Sequence, residues 1–381
     1  AGYPNGTFRG NRAMTRYEAA ALLNACLDRV TEVTDELRRL MAEFETELAI
    51  LKGRVDGLEA KVGELEATQF SSTTKLKGVA DFIIGGVSVD DQAPQVGEAL
   101  TFQYRYRLNL NTSFTGKDLL YARLQSANGG GWTEANATHL SDSGDQGVAV
   151  EIDKLWYTFP VGDFTFTVGP QVENYYMIET PTRYKPVLKA FKLGGYGAVL
   201  GASTGAGAGV QWRQNVERGD AALNFAVNYT NNDGADSARG VFGDGTGSSL
   251  VTQVGYGTRK LWGGIHYSRK GLEAGAYPTD GQSNIGTVTN AMNAWGLRGF
   301  YVPDSKAMPT ISGGVDFGSV AGTNDGDTTS TFGYMVGLNW DDVFVEGNKA
   351  GLAYGSIGSY VTDTQGTANV DNDNSAFELW Y

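Results

Sequence analysis

The sequence predicts a mainly β protein, a transmembrane antiparallel β-barrel preceded by a helical coiled-coil stem. Within 70–381, runs of about ten residues alternate apolar and polar side chains and carry aromatics near their ends, the pattern of membrane strands. Within 28–69, apolar residues instead recur at heptad spacing. No apolar run approaches the ~18 residues of a membrane helix, so any crossing of a membrane is expected to be made by strands.

The stem predicted over 28–69 is a parallel coiled coil. Its apolar positions are Val30, Val33, Leu37, Leu40, Phe44, Leu48, Leu51, Val55, Leu58, Val62 and Leu65. In this register Arg54 pairs with Glu59, and Lys61 with Glu66, between neighbouring parallel helices, which predicts a homo-oligomer. The alternative is a surface helix packed on its own domain.

The net charge of -13 argues against nucleic-acid binding. The chain has a single cysteine, Cys26, so it cannot build a disulfide framework or a zinc site by itself. Much of the acidic excess lies in Gly/Asn/Asp/Thr-rich stretches that are typical of solvated loops, and none has the ligand spacing of an EF-hand. No metal or cofactor is predicted.

The segment before the stem, residues 1–27, contains a turn and a helix start. Pro4-Asn5-Gly6 has turn chemistry because proline sets φ and glycine accepts positive φ. Thr15-x-x-Glu18 is a capping box in front of a helical run.

This segment resembles the second half of an S-layer homology (SLH) module, with its Gly-Tyr-Pro turn and its Thr-Arg helix start. The resemblance implies binding of acidic, peptidoglycan-linked polysaccharide through Arg16, with Gly2 and Thr7 beside it. An arginine offers a planar fork to a carboxylate. The alternative is that Arg16 is only a solvated residue of the first helical turn.

The alternating pattern is clearest at Phe102–Leu110, where every second residue is aromatic or aliphatic. It recurs at 164–168, 223–229, 311–317, 332–340 and 377–381. A soluble β-domain also alternates, but here the second faces are rich in Gly, Ser and Asn and do not read as a core. About a dozen strands can be marked in this way.

The order of half-module, stem and Ser-Thr-Lys-Leu-Lys-Gly junction (residues 72–78) resembles cyanobacterial outer-membrane porins, whose barrels are similar to the carbohydrate-selective porin family. The resemblance implies sixteen strands, a homotrimer surrounded by outer-membrane lipid, a periplasmic stem and passive diffusion of small polar solutes or ions. It also implies that some segments of the family pattern are absent here. A structural tether between outer membrane and wall, with little channel activity, is the alternative function.

In a pore the chemistry resides in the charges that line the channel. Residues 174–192 are too long and too rich in proline for a strand, so we expect a loop folded into the channel. The pore-lining and constriction candidates, on strands and on this loop, are Arg105, Arg107, Arg123, Arg183, Lys185, Lys189 and Arg298. Alternatively, these bases pair with acids such as Glu151 and Asp153 and only hold the loop.

Sugar binding would require aromatic faces, and Tyr175, Tyr176 and Tyr184 are candidates, although packing roles are equally compatible with the sequence. Enzyme activity is not predicted. The one candidate pair of base and nucleophile, His266 and Ser268, shares the lumenal face of a strand, away from lipid substrate.

Overall fold

The computed structural model describes the chain in segments. They are residues 15–30, 35–68, 73–88, 99–129, 140–141, 144, 146–195, 199–201, 203–242, 247–271, 292–305, 307–321, 328–356, 360–363 and 375–381. The chain forms two compact units, Ala1–Phe70 and Ser71–Tyr381.

The first unit is helical, with α1 over Arg16–Val30 and α2 over Asp35–Thr68. The predicted capping box is confirmed at the start of α1. The Thr15 amide donates to Glu18 Oε2 at 2.9 Å, and the Glu18 amide donates to Thr15 Oγ1 at 3.3 Å. Among the described helices, none combines the length and apolar character of a membrane span.

The heptad positions of α2 whose side chains are described face solvent. Phe44, Leu51, Val55, Leu58 and Val62 are between 43% and 61% exposed. The coiled coil expected for this helix stays a prediction.

The second unit is built of strands. They are β1 Thr74–Gly85, β2 Thr101–Thr112, β3 Leu119–Ala127, β4 Glu151–Val161, β5 Phe164–Glu173, β6 Thr204–Arg213, β7 Ala222–Asn231, β8 Ser248–Gly257, β9 Leu261–Lys270, β10 Met292–Tyr301, β11 Thr310–Ala321, β12 Thr328–Asp341, β13 Lys349–Ser356, β14 Tyr360–Asp363 and β15 Ser375–Trp380.

All these strands belong to one sheet in which sequence neighbours pair antiparallel from β1 to β13, and β13 then pairs with β15. β13 and β14 pair with successive parts of β12, so they share one position in the sheet. The fifteen strands of the described residues therefore fill fourteen positions. The expected number of sixteen stays a prediction.

The connections define two ends of the sheet. One end has tight turns such as 162–163 and 258–260, and the other has the long segments 128–150, 174–203 and 271–291. Gly162 has a φ of 59° in the turn between β4 and β5. In outer-membrane barrels the short turns are periplasmic and the long loops are extracellular.

Burial across the sheet is the reverse of that in a soluble protein. Ile265 and Leu297 are each 52% exposed on one face, whereas Gln253 and Ser268 are fully buried on the other. A continuous band of outward apolar side chains suits contact with lipid, and polar side chains pointing inward suit a hydrated channel. This pattern identifies the outer face of the sheet as lipid-facing.

Candidate functional site

The candidate site is the segment between β5 and β6, which lies on the inner face of the sheet. It contains two 3₁₀ turns, Asn174–Met177 and Lys189–Gly194. Its apolar residues Ile178, Val199 and Leu200 pack on inward-facing residues of β7, β8 and β10. The loop predicted at 174–192 is therefore confirmed, and the burial of its apolar side fixes it against the wall.

Hydrogen bonds attach this loop to strands far apart in the sheet. Gln253 on β8 accepts from the Glu179 amide at 2.8 Å and donates to the Glu179 carbonyl at 2.9 Å. Ser312 on β11 accepts from the amides of Arg183 and Tyr184 at 3.0 and 3.1 Å.

One loop can contact both β3 and β15 only if the sheet curves around it. Tyr176 lies 3.5 Å from Arg123 on β3, and Tyr184 donates to Glu378 on β15 at 2.6 Å. The sheet therefore wraps the loop as a barrel wall does.

Glu378 on β15 accepts two hydrogen bonds from the loop. This buried carboxylate accepts from the Tyr184 hydroxyl and from the Leu188 amide. Trp380 also donates to the Tyr184 hydroxyl, at 3.1 Å. Burial, followed by the bond to Glu378, raises the pKa of Tyr184. Tyr184 is thus a packing residue and not a surface for sugar stacking.

Arg298 on β10 lies behind the loop. It donates to the carbonyls of Leu193 and Gly195 at 3.0 and 2.8 Å and pairs with Asp316 on β11 at 2.7 Å. Both charged groups are almost completely buried. Arg298 therefore holds the loop, which is the alternative role that the sequence left open for the basic residues.

Arg105 on β2 is also buried. It pairs with Asp81 on β1 at 2.8 Å and donates to the Ser141 carbonyl at 3.3 Å. The Ser141 amide in turn donates to the Val187 carbonyl of the loop at 2.7 Å. Arg105 thus supports the loop from the side opposite β10.

Of the neighbouring basic residues on this wall, Arg123 on β3 is buried like Arg105. Arg123 pairs with Asp153 through Nε at 2.7 Å and Nη2 at 2.5 Å. Arg107 donates to Gln125 and is only partly buried. Asp153 is thus confirmed as a partner, whereas Glu151 is exposed.

An aromatic group adjoins these arginines. Trp156 lies 4.4 Å from Tyr121 and 5.0 Å from Tyr176 between ring centroids, and Tyr175 lies 5.1 Å from Tyr176. Tyr176 remains 44% exposed. An exposed ring beside charged hydrogen-bonding groups suits a polar solute that has one apolar face.

The cations of the loop differ in surroundings. Arg183 is exposed and lies 4.5 Å over the Phe300 ring, and Lys185 is also exposed. Lys189 is partly buried, and burial together with nearby Lys192 lowers its pKa to about 8. These three residues, with Arg107, supply the accessible positive charge among the predicted pore-lining residues.

The loop anchors Gln253, Ser312 and Glu378 were missed by sequence reasoning. Each is an ordinary inward-facing polar residue of a strand, and its partner is distant in sequence. The only available signal was the alternation that places it on the inner face.

His266 and Ser268 both lie on the inner face, as predicted. His266 Nε2 is 2.9 Å from Gln253 Nε2, and Ser268 Oγ has no hydrogen-bond partner among the described residues. No bond between base and nucleophile is formed. Within the described part of the chain, no group of three or more His, Cys, Asp or Glu is placed to hold a metal.

The remaining predicted residues belong to the helical unit. Arg16, Arg54, Glu59 and Lys61 are exposed. Gly2, Thr7 and the side chain of Glu66 lie outside the described residues.

Two relatives match most of the chain. A relative from Nostoc sp. (strain PCC 7120) is 34% identical over 426 residues, covering 97% of this chain and 72% of the relative. A second, from Synechocystis sp. (strain PCC 6803), is 31% identical over 411 residues, covering 93% and 73%. Both are described only as uncharacterised proteins.

Among solved structures, the anion-selective porin from Comamonas acidovorans aligns with a TM-score of 0.47 and 11% identity, covering 81% of this chain and 82% of that one. The model of the carbohydrate-selective porin, OprB family, matches residues 32–381. The chain is therefore an outer-membrane β-barrel of the channel type and belongs to the carbohydrate-selective porin, OprB family.

Proposed function

We propose that the protein is an open pore for passive diffusion of small polar solutes, in which the loop between β5 and β6 forms the constriction. The observation that carries the proposal is the attachment of this loop to the inner wall from β3 to β15. A loop held at so many points narrows the channel permanently. Solutes pass through the remaining opening without an energy source.

The solute that fits the constriction best is a neutral sugar or a small anion. Tyr176 offers a ring face, and the partly buried Arg107 and Asp153 offer a donor and an acceptor beside it. Sugars combine an apolar ring face with hydroxyl groups that need both kinds of partner. The exposed cations on the loop favour anions over cations.

Solute-driven swelling of proteoliposomes tests this proposal. We expect Tyr176→Ala and Arg107→Ala to change the relative rates for a neutral sugar and an anion. Tyr106→Ala is the matched control, because Tyr106 lies beside Arg107 on β2 but on the exposed outer face. Folded barrels without swelling would contradict the pore and leave the structural tether as the function.

The stem is proposed to join three chains into a homotrimer, with α2 in the periplasm. The exposed heptad seam supports association, and the charges of Arg54, Glu59 and Lys61 stand exposed on the helix. Chemical cross-linking and mass measurement in mild detergent test the number of chains. A dimer, or single separate stems, would contradict it.

The segment before the stem is proposed to bind peptidoglycan-linked polysaccharide through Arg16, Gly2 and Thr7. The capping box at Thr15 and Glu18 supports the assignment by placing Arg16 at the exposed start of α1. In cosedimentation with purified cell wall, we expect Arg16→Ala to weaken binding, and Arg39→Ala, an exposed arginine on α2, to leave it unchanged. Equal binding by both variants would contradict the role of Arg16.

A further inference from the structure

Among the described residues, four glycines of the inner wall lie directly against the loop between β5 and β6. A Cβ added to any one of them would come within 3.1 Å of a loop atom. They are Gly209 on β6 against Met177, Gly296 on β10 against Val199, Gly314 on β11 against Gly194, and Gly337 on β12 against Tyr184. At these points the loop lies on bare backbone, where a larger residue would hold it farther from the wall.

Gly314 shows the closest approach. Its direct partner across the ladder is Arg298, which donates to the loop carbonyls of Leu193 and Gly195. The carbonyl between these two, that of Gly194, lies against Gly314, and a Cβ there would clash with it. Arg298 therefore draws the loop toward the wall, and Gly314 leaves the space that the loop backbone occupies.

Gly337 repeats this arrangement on the next pair of strands. Its cross-strand partner is Ser312, which accepts from the amides of Arg183 and Tyr184 at 3.0 and 3.1 Å. Because a serine side chain is short, these bonds hold the loop backbone close to the sheet. The Tyr184 ring then lies over Gly337, with its Cγ 2.6 Å from the position of an added Cβ. Both hydrogen-bonding anchors thus have a glycine beside them.

The loop is the part that should move when volume is added at these positions. β11 is paired along its length with β10 on one side and β12 on the other. Strands within a membrane cannot separate without leaving backbone groups unpaired, so the wall resists displacement. Overpacking is relieved by shifts of the less constrained partner. The loop, held to β11 and β12 by a few side chains, is that partner.

We propose that Gly314 and Gly337 set the width of the channel, as positioning residues that determine how close the loop lies to the wall. This inference rests on the proposed function, in which the loop is the constriction. A methyl group at either position lifts the loop off the wall and narrows the opening, while every charged group of the protein is retained. The two glycines therefore govern the size of the solute that passes, and the loop cations govern its charge.

The direction of the effect separates this role from a merely structural one. A substitution that only weakens the attachment should loosen the loop and give larger, noisier currents. A substitution that lifts an attached loop should give smaller currents with ordinary noise. It should also slow a large solute more than a small one.

Single-channel recording in planar bilayers and sugar-driven swelling of proteoliposomes test the proposal. For Gly314→Ala and Gly337→Ala we expect smaller ohmic steps than for wild type, and a greater loss of swelling with a disaccharide than with a monosaccharide. Gly263→Ala is the matched control, because Gly263 lies on the exposed outer face and a Cβ there has its nearest contact at 3.9 Å. Its steps and swelling should equal those of wild type.

Removal of the loop provides a second control. A short Gly/Ser linker in place of residues 178–200 removes both Tyr184 and Gly194, the loop residues that an added methyl would displace. In that background Gly314→Ala should leave the step size unchanged. Shift in gel mobility on heating confirms that each variant is folded.

Two results would overturn the inference and leave the pore intact. The first is steps from folded Gly314→Ala and Gly337→Ala that match or exceed those of wild type. The second is a reduction by Gly314→Ala that persists in the linker background, since it would then arise in the wall. Silent bilayers from folded wild type would contradict the pore itself, and this inference with it.

Discussion

The buried charge of Arg298 holds the loop between β5 and β6 and does not line the channel. Arg298 and Asp316 form a pair that is almost inaccessible to solvent, and Arg298 also binds two loop carbonyls. A buried ion pair adds little stability over an apolar pair, but removing one partner leaves an uncompensated charge. The role of Arg298 is therefore to fix the position of the loop.

This asymmetry predicts the behaviour of two variants. Arg298→Met should lower the free energy of unfolding by about 3–5 kcal/mol, because Asp316 is left buried and unpaired. Adding Asp316→Asn should restore much of the loss. The measurement is the temperature at which the folded band disappears in semi-native electrophoresis. A single variant as stable as wild type would show that the pair is not buried.

Lys189 gives the constriction a dependence on pH. Burial and nearby Lys192 lower its pKa to about 8, so the side chain is charged below that pH and neutral above it. Anion preference should therefore fall as the pH rises through about 8. Reversal potentials in a salt gradient, from about pH 6 to about pH 10, measure this.

Lys189→Arg is the control for that measurement, because an arginine remains charged over the whole range. Its selectivity should stay flat where that of wild type falls. Parallel curves for wild type and Lys189→Arg would exclude Lys189 as the titrating group.

Among the elements of the fold, the existence of a loop between β5 and β6 could be predicted from sequence, but its contacts with the wall could not. Its length and its prolines exclude a strand, and on that basis the sequence predicts a loop folded into the channel. Its anchors are set by tertiary contacts, such as Tyr184 to Glu378 across 194 residues of sequence. No local pattern contains such a pairing.

Because Glu378 attaches the loop to β15, we expect the loop to become more mobile when the Glu378 carboxylate is removed. Glu378→Ala should give larger and noisier single-channel currents, because Tyr184 and Leu188 lose their acceptor. Glu346→Ala is the control, since Glu346 lies in the turn after β12 and is exposed. Unchanged currents in a folded Glu378→Ala protein would mean that other contacts suffice.

The stem makes a prediction at the same scale. Leu51 and Ile50 are equally exposed, at 60% and 61%, but only Leu51 belongs to the heptad seam. Leu51→Asp should abolish cross-linking between stems, and Ile50→Asp should not, because an acid on the outer face remains hydrated. Equal effects of the two substitutions would contradict the seam.

For the whole molecule, the barrel could be predicted from the alternation of apolar and polar residues. The outer face of a membrane strand must be apolar to contact lipid, and the inner face must be polar to contact water. The same rule correctly placed Arg105, Arg123 and Arg298 on the inner face. It could not tell that all three are buried, since that depends on where the loop covers the wall. The number of strands could not be counted from the sequence either, because Gly-rich strands and Gly-rich loops have similar composition.

The central claim is an open channel narrowed by one loop, and single-channel recording in a planar bilayer tests it most directly. Wild type should be compared with a variant in which a short Gly/Ser linker replaces residues 178–200. We expect stable ohmic steps for wild type and clearly larger steps for the shortened loop. Silent bilayers from folded barrels, or steps of equal size in both proteins, would contradict it.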